Sequence, residues 1–354
     1  VCLLRKTSFM IFFIAIIVFV LTFAFTLIGP PTNQKVDNNH SLNITTPTQS
    51  TFKVPNNGIF SYMGKSKTEI IEKFGEPERI DPTNEGYQWY IYGRGSEKYI
   101  QIGIDNKSEH VSSIYALGKQ LKTDPFIIEK KSRDIYKKVP LSDTVSLNYK
   151  GTKIDFEFNE DDLMVRPLIK FGKYWAQLNF DHMTDRLVGV RYMNDEVLVR
   201  QRPYSLTYIG GSLPDPLKLS DDEWDAVNQS EAIEIFDISN ILRTRYNVKP
   251  LDWNKSASDA AYKHSQEMKE RNYFSHDSKW SGDLSKRLQK EKVQFQLAGE
   301  NIAAKYPDGV AVVIGWLNSE DHRKNLLNDE FTELGVGVYK DNYTQDFVTP
   351  FSTK

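Results

Sequence analysis

Three short phrases in the last third of the chain gather residue types that can do chemistry. They are Tyr273-Phe274-Ser275-His276, Ala298-Gly299-Glu300-Asn301 and Asn318-Ser319-Glu320-Asp321-His322-Arg323. His276, Glu300 and His322 fall at loop-like positions flanked by apolar helix or strand pattern, and such groups are costly to bury unless they pair or serve a site. Two neutral imidazoles with carboxylates suit a divalent cation such as zinc, with water completing the shell. The same set suits acid–base work on a bound water, with Glu300 as base and a histidine as its electrostatic partner. Ser275 is a poor nucleophile, because adjacent side chains rarely converge and no Gly-x-Ser-x-Gly turn surrounds it. A buried polar network that fixes loops without chemistry is the competing reading.

The elements that must position these groups follow from pattern. Ser220-Asp221-Asp222-Glu223 is a capping box opening a helix that runs towards Tyr246. A second helix is expected over 254–271, with Ala257, Ala261, His264 and Met268 on one face, which makes His264 a core or boundary residue. A third starts near Pro307-Asp308, buries Val310, Val313, Ile314 and Leu317, and ends just before a loop bearing His322. Strands over 334–339 and 343–348 close the chain.

At 354 residues the chain is too long for one ordinary core, so two folded domains are expected. A net charge of −2 gives no global reason to expect nucleic acid. The run 9–29 is apolar and follows Arg5 and Lys6, which predicts a signal anchor over 1–29, a single transmembrane helix with everything after residue 30 outside. A cleaved signal peptide and a secreted product is the alternative, although no small-x-small cleavage site stands out near 24–30. The single cysteine, Cys2, precedes that run, so the exported part has neither disulfide nor thiol nucleophile, which fits a Gram-positive cell surface. Residues 30–57 are rich in Pro, Asn, Thr and Ser and read as a flexible tether.

From 60 to 205 a helix-then-strands pattern occurs twice. Ser66 and Glu69 cap the first helix, and strands follow over 87–92, 98–104 and 111–116. The second copy opens at Lys131-Ser132-Arg133. Gln101-Ile102-Gly103-Ile104-Asp105 aligns with Gln177-Leu178-Asn179-Phe180-Asp181, and Val111-Ser112-Ser113-Ile114-Tyr115 with Leu187-Val188-Gly189-Val190-Arg191-Tyr192. This predicts two α+β units packed together. Tyr87, Trp89, Tyr90, Tyr92, Tyr174 and Trp175 read as sheet core rather than a binding face, and His110 and His182 as solvated turn residues. The Gly- and Pro-bearing stretch 203–216 marks a boundary near which the folded regions should separate, the second occupying 220–354.

Several motifs stand in a distinctive order: Ala261-Tyr262-Lys263-His264-Ser265, Phe274-Ser275-His276, Ala298-Gly299-Glu300-Asn301-Ile302-Ala303 and Trp316-Leu317-Asn318-Ser319. His322-Arg323-Lys324-Asn325-Leu326-Leu327, Phe331-Thr332-Glu333-Leu334-Gly335-Val336-Gly337 and Tyr343-Thr344-Gln345-Asp346-Phe347 follow. Over about 230–350 this resembles the bacterial branch of the CAP superfamily (cysteine-rich secretory, antigen 5, pathogenesis-related 1), also called SCP-like extracellular proteins. The duplicated region resembles the CAP-associated domain of membrane-anchored Bacillus-type proteins. The resemblance implies an α-β-α sandwich with a cleft of two histidines and two acids, so the whole is α+β. His276 matches the first cleft histidine and Glu300 the first acid. The second acid falls at Ser319, with Glu320 adjacent, and the second histidine at Asn342. His322 is the substitute within the bacterial branch, and Glu333 is a further cleft candidate. The implied roles are a cleft that binds an envelope ligand (cation, lipid or peptide), a metal-assisted extracellular peptidase, or a structural factor in spore or cell-wall assembly.

Overall fold

The computed structural model describes residues 33–35, 57–137, 139 and 141–351. The run read as a transmembrane helix lies outside these residues, and no helix among them is long and apolar enough to cross a membrane. Asn33–Lys35 forms β1, parallel to Leu206–Tyr208, so part of the expected tether is held at a sheet edge. Edge pairing uses backbone groups, which is why a stretch with few apolar residues did not announce it.

The first region begins with a short 3-10 turn and α1 (Lys67–Phe74), capped by Ser66 and Glu69 as expected. β2 (Arg79–Pro82), β3 (Tyr87–Tyr92), β4 (Ile100–Asp105) and β5 (Val111–Ala116) follow as an antiparallel meander. The second copy supplies α2 (Ser132–Tyr136), then an inserted hairpin β6 (Thr144–Tyr149) and β7 (Thr152–Glu157), and α3 (Glu160–Val165). It continues through β8 (Leu168–Phe171), β9 (Tyr174–Asp181), β10 (Arg186–Met193), α4 (Asp195–Gln201) and β11 (Ser205–Ile209). Both copies share one sheet, ordered β2-β3-β4-β5-β10-β9-β8, and meet at the antiparallel β5–β10 pair. The insertion joins a second sheet, β1-β11-β7-β6.

The duplication leaves a mark in the ladder. The β4–β5 register skips Ser112 and the β9–β10 register skips Val188, and these two residues occupy equivalent places in the sequence alignment. A bulge recurring at the same point bends both hairpins alike. The strand aromatics are buried core, as read from the sequence.

The second region opens with α5 (Asp221–Arg245), again on its expected capping box. It continues with β12 (Asp252–Trp253), α6 (Lys255–Glu270), α7 (Leu284–Lys290), β13 (Leu297–Ala304), α8 (Gly309–Leu317), α9 (Glu320–Leu326), β14 (Glu333–Tyr339) and β15 (Asn342–Thr349). The sheet order β12-β14-β15-β13 leaves β13 at an edge. α6 covers one face; α5 and α8 cover the other through Ile235, Ile238, Leu242, Val313 and Trp316. Glycine makes the α6 contact possible. A Cβ on Gly335 would lie 2.2 Å from the Ala257 carbonyl carbon, and one on Gly337 would lie 1.9 Å from the Tyr262 nitrogen.

Two expectations are corrected. Glu300 lies in a strand, β13, and His322 in a helix, α9, not in loops. β13 is covered on both faces and so shows no alternation, while α9 is a short helix whose acids at the start and bases at the end suit the helix dipole.

One hydrophobic core runs through both regions, across the expected boundary at 205–225. α5 lies against the first region's sheet as well as its own. Arg79 Nη1 and Arg94 Nε each donate to Asp237 Oδ2, at 2.9 and 3.0 Å. Gln101 donates to Glu234 at 3.0 Å, and Arg245 Nη1 donates to the Val188 carbonyl at 2.9 Å. Further along, Arg323 reaches Asp181 at 2.9 Å. His182 is an exposed turn residue, as expected, and its Nδ1 lies 2.7 Å from Asn318 Oδ1.

Candidate functional site

Glu300 is the centre of the site. On the edge strand β13 its side chain turns to the α6 face and is almost fully buried, opposite Asp346 of β15. His276, in the segment after α6, donates from Nδ1 to Glu300 Oε1 at 2.7 Å. Arg287, from α7, donates to Glu300 Oε2 through Nη2. The other end of the same guanidinium donates to the carbonyls of His276 and Gly282, both at 2.8 Å. Arg287 therefore holds both the acid and the backbone that carries the histidine.

These contacts set the charges. Burial alone would raise Glu300, but the His276 hydrogen bond and the Arg287 charge hold it below its ordinary value. Asp346 moves the other way: burial and the Glu300 charge beside it push it well above the usual carboxylate range. Two buried carboxyls thus face one guanidinium, and the charge on each disfavours ionisation of the other. His264, on α6, is fully buried with Nε2 3.9 Å from Glu300 Oε2. Burial takes it down to about 4, against the opposing pull of Glu300, so it is neutral. His264 is a core residue, as the sequence suggests, although neither ring nitrogen has a hydrogen-bond partner among the described residues, and that core adjoins the site.

With Nδ1 engaged and half its side chain exposed, His276 offers Nε2 outward. It borders a cleft of ≈ 410 Å³ whose lining includes Leu284, Phe295 and Ala298 as apolar floor and Asp277 and Asp283 as acids. His322 approaches from α9, with Nδ1 2.7 Å from Ser319 Oγ. Burial and the nearby His276 lower it to about 4. The position expected for the second acid is thus a serine bonded to the second imidazole.

The remaining candidates are elsewhere. Glu320 is exposed on α9 and pairs with Lys324 at 3.0 Å. Glu333 accepts from Asn254 at the start of α6, on a strand two places from β13. Asn342 opposes Ala304, four residues along the ladder from the Glu300–Asp346 pair. Sequence reasoning missed Arg287 and Asp346. Arg287 sits in a lysine-rich run that reads as solvated helix surface, and Asp346 carries no spacing signal.

The donor set fits a divalent ion in part. Each imidazole has Nδ1 fixed by an oxygen, which is how metal-site histidines are usually oriented. Both Glu300 oxygens are already engaged, and among the described residues no three His, Cys, Asp or Glu side chains form a group suited to an ion.

Comparison with known proteins agrees with this architecture. Residues 63–204 match the family described as CAP-associated N-terminal, and 236–351 match the cysteine-rich secretory protein family. The membrane protein YlbC of Bacillus subtilis (strain 168) is 42% identical over 295 residues, covering 83% of this chain and 84% of that protein. An extracellular SCP-domain protein from Bacillus anthracis superposes with TM-score 0.79 at 44% identity, over 86% of this chain and 99% of that structure. A cysteine-rich secretory protein from Staphylococcus aureus does so with TM-score 0.74 at 26% identity, over 85% and 95%. The chain belongs to the CAP superfamily, in the form that carries an N-terminal CAP-associated domain.

Proposed function

We propose that this chain is a membrane-anchored envelope protein whose cleft binds a peptide bearing an apolar side chain and a cationic group. The observation that carries this reading is the commitment of Glu300: His276 takes one oxygen and Arg287 the other. A carboxylate so held fixes an imidazole but is not free to serve as base. What remains for a ligand is the outward Nε2 of His276, the apolar floor of Leu284, Phe295 and Ala298, and the acids Asp277 and Asp283. Apolar surface with a few placed polar groups is the ordinary character of a binding pocket. The lining acids favour a cation over an anionic lipid headgroup.

Calorimetric titration of the full chain in detergent with amphipathic peptides of either charge tests the proposal. Saturable binding of the basic peptide, weakened by His276→Ala and Phe295→Ala, is expected. Equal binding of both peptides, or binding indifferent to these substitutions, refutes it. The oriented pair of imidazoles favours a second reading, in which His276 and His322 hold a divalent cation such as zinc. A bound ion would supply Lewis-acid polarisation for extracellular hydrolysis, with Glu300 orienting His276. Peptide hydrolysis that follows added zinc and is lost in both histidine variants distinguishes this reading from binding alone.

A further inference from the structure

Away from the cleft, the contact between the two regions buries more acids than bases. On one side α5 presents Glu231, Glu234 and Asp237, and α8 adds its N-cap Asp308. On the other side stand Asp81 of β2 and Glu85 of the β2–β3 turn. Three arginines answer these six carboxyls. Arg79 binds Asp81 at 2.7 Å and Asp237 at 2.9 Å, Arg94 binds Asp237 at 3.0 Å, and Arg191 of β10 binds Asp308 at 2.7 Å.

Glu85, Glu231 and Glu234 are left without a guanidinium of their own. Glu234 Oε2 accepts from the Gln101 amide at 3.0 Å. Glu85 Oε2, Glu231 Oε2 and Glu234 Oε1 are buried and have no hydrogen-bond partner among the described residues. We propose that the two regions are clamped together by protons held on Glu85, Glu231 and Glu234, so that α5 loosens from the first region's sheet as the medium turns alkaline.

The surroundings of each glutamate support this. Glu85 faces Asp308 and Arg191, with Gln201 and Tyr87 beside it; burial, then Asp308, pushes it up to about 8. Glu231 faces Asp308, Glu85, Arg191 and Tyr343; Glu234 faces Asp81, Glu231, Arg79 and Asp308. Burial raises both well above the ordinary carboxylate range. Three ionised glutamates beside three acids already paired would leave uncompensated charge in a low-dielectric contact, and protonation removes it.

The sign follows from linkage. A carboxyl whose folded pKa is raised contributes stability that is complete below its unfolded value, about 4.5, and is lost as pH rises towards the folded value. For Glu85 that window runs from about 4.5 to about 8. Each retained proton raises the unfolding constant by up to about tenfold per pH unit inside its window.

The test compares the full chain with its Glu85→Gln/Glu231→Gln/Glu234→Gln variant, whose amides keep the shape without the titration. Thermal unfolding from pH 5 to 8 is recorded for both, and their difference cancels contributions from the histidines. Wild type should lose stability relative to the variant by at least about tenfold in unfolding constant per pH unit. Parallel profiles overturn the proposal. If the triple variant fails to fold, hydrogen exchange across 221–245 in the wild-type chain decides. Protection of α5 amides, corrected for intrinsic rates, should fall between pH 6 and 8.5, and unchanged protection overturns the proposal.

Discussion

Replacing Arg287 with alanine acts on every part of the cleft at once. The guanidinium is almost fully buried and donates to Glu300, to the His276 carbonyl and to the Gly282 carbonyl. Removing one partner of a buried ion pair costs about 3–5 kcal/mol, because the other charge is left behind without compensation. Each carbonyl that loses a charged donor adds about 1–3 kcal/mol where no water replaces it. The cleft mouth is open, so partial rehydration limits the whole to about 4–6 kcal/mol. That is a large share of an ordinary domain stability of about 5–15 kcal/mol. Arg287→Lys keeps the charge but cannot span three acceptors, and should cost roughly half as much. Denaturant unfolding monitored by circular dichroism measures both. The pH profile supplies an independent check. Because Glu300 is held below its ordinary value, its contribution is present above about pH 4.5 and is lost as pH falls through the folded value. That acid limb should weaken in Arg287→Ala, where the His276 hydrogen bond remains but the carboxylate has lost its cation. A loss below about 1 kcal/mol or an unchanged acid limb would show that Arg287 does not hold the site together.

The remaining expectations concern packing, metal, pH and domain structure. Gly337→Ala places a Cβ 1.9 Å from the Tyr262 nitrogen, and should cost more than about 3 kcal/mol in a denaturant titration, since helix and strand must part. On the second reading, His276→Ala and His322→Ala should each weaken zinc binding by about tenfold or more in calorimetry at neutral pH, while Glu320→Gln, Glu333→Gln and Asn342→Ala leave it unchanged. His264, lowered to about 4, contributes stability that is complete above about pH 6.5 and is lost as pH falls towards about 4. His264→Gln should make the fall in melting temperature over that range shallower, His322 with the same window supplying the remainder, and curves parallel to wild type would exclude the assignment. A fragment beginning at Pro216 should be insoluble or molten, because α5 shares its core with the first region. A cooperative melt from that fragment would show that the shared core is dispensable.

The parts of the fold legible in the sequence are those where local signals and tertiary packing agree. Capping boxes at Ser66 and Ser220 mark helix starts that the structure keeps, because each serine side chain accepts from the third backbone amide of its helix. The duplication was legible because the strand repeats preserve side-chain order through the bulge at Ser112 and Val188. β13 was missed because Ala298, Gly299 and Ala303 are small residues without alternation. Gly299 is needed there, since a Cβ would come within 2.7 Å of the Phe331 ring.

The shared core was hidden by the charges that now define it. Glu231, Glu234 and Asp237 recur along α5 at a spacing that reads as a solvated helix face. A helix polar on one side and apolar on the other ordinarily has water on its polar side, and the sequence offers no sign that a second sheet lies there. The arginines that meet this face come from Arg79 and Arg94, 158 and 143 residues away along the chain from Asp237. The same limit applies to the cleft: His276 and Glu300 were identifiable by residue type and phrase, but Arg287, which gives them their geometry, looks like any surface arginine. Polar residues become legible as a site only when the fold shows which of them have lost their water. In this chain that loss falls on Glu300 and Asp346 at the cleft and on Glu231 and Glu234 at the contact between regions, so both places where function is proposed are places where buried acids outnumber the arginines beside them.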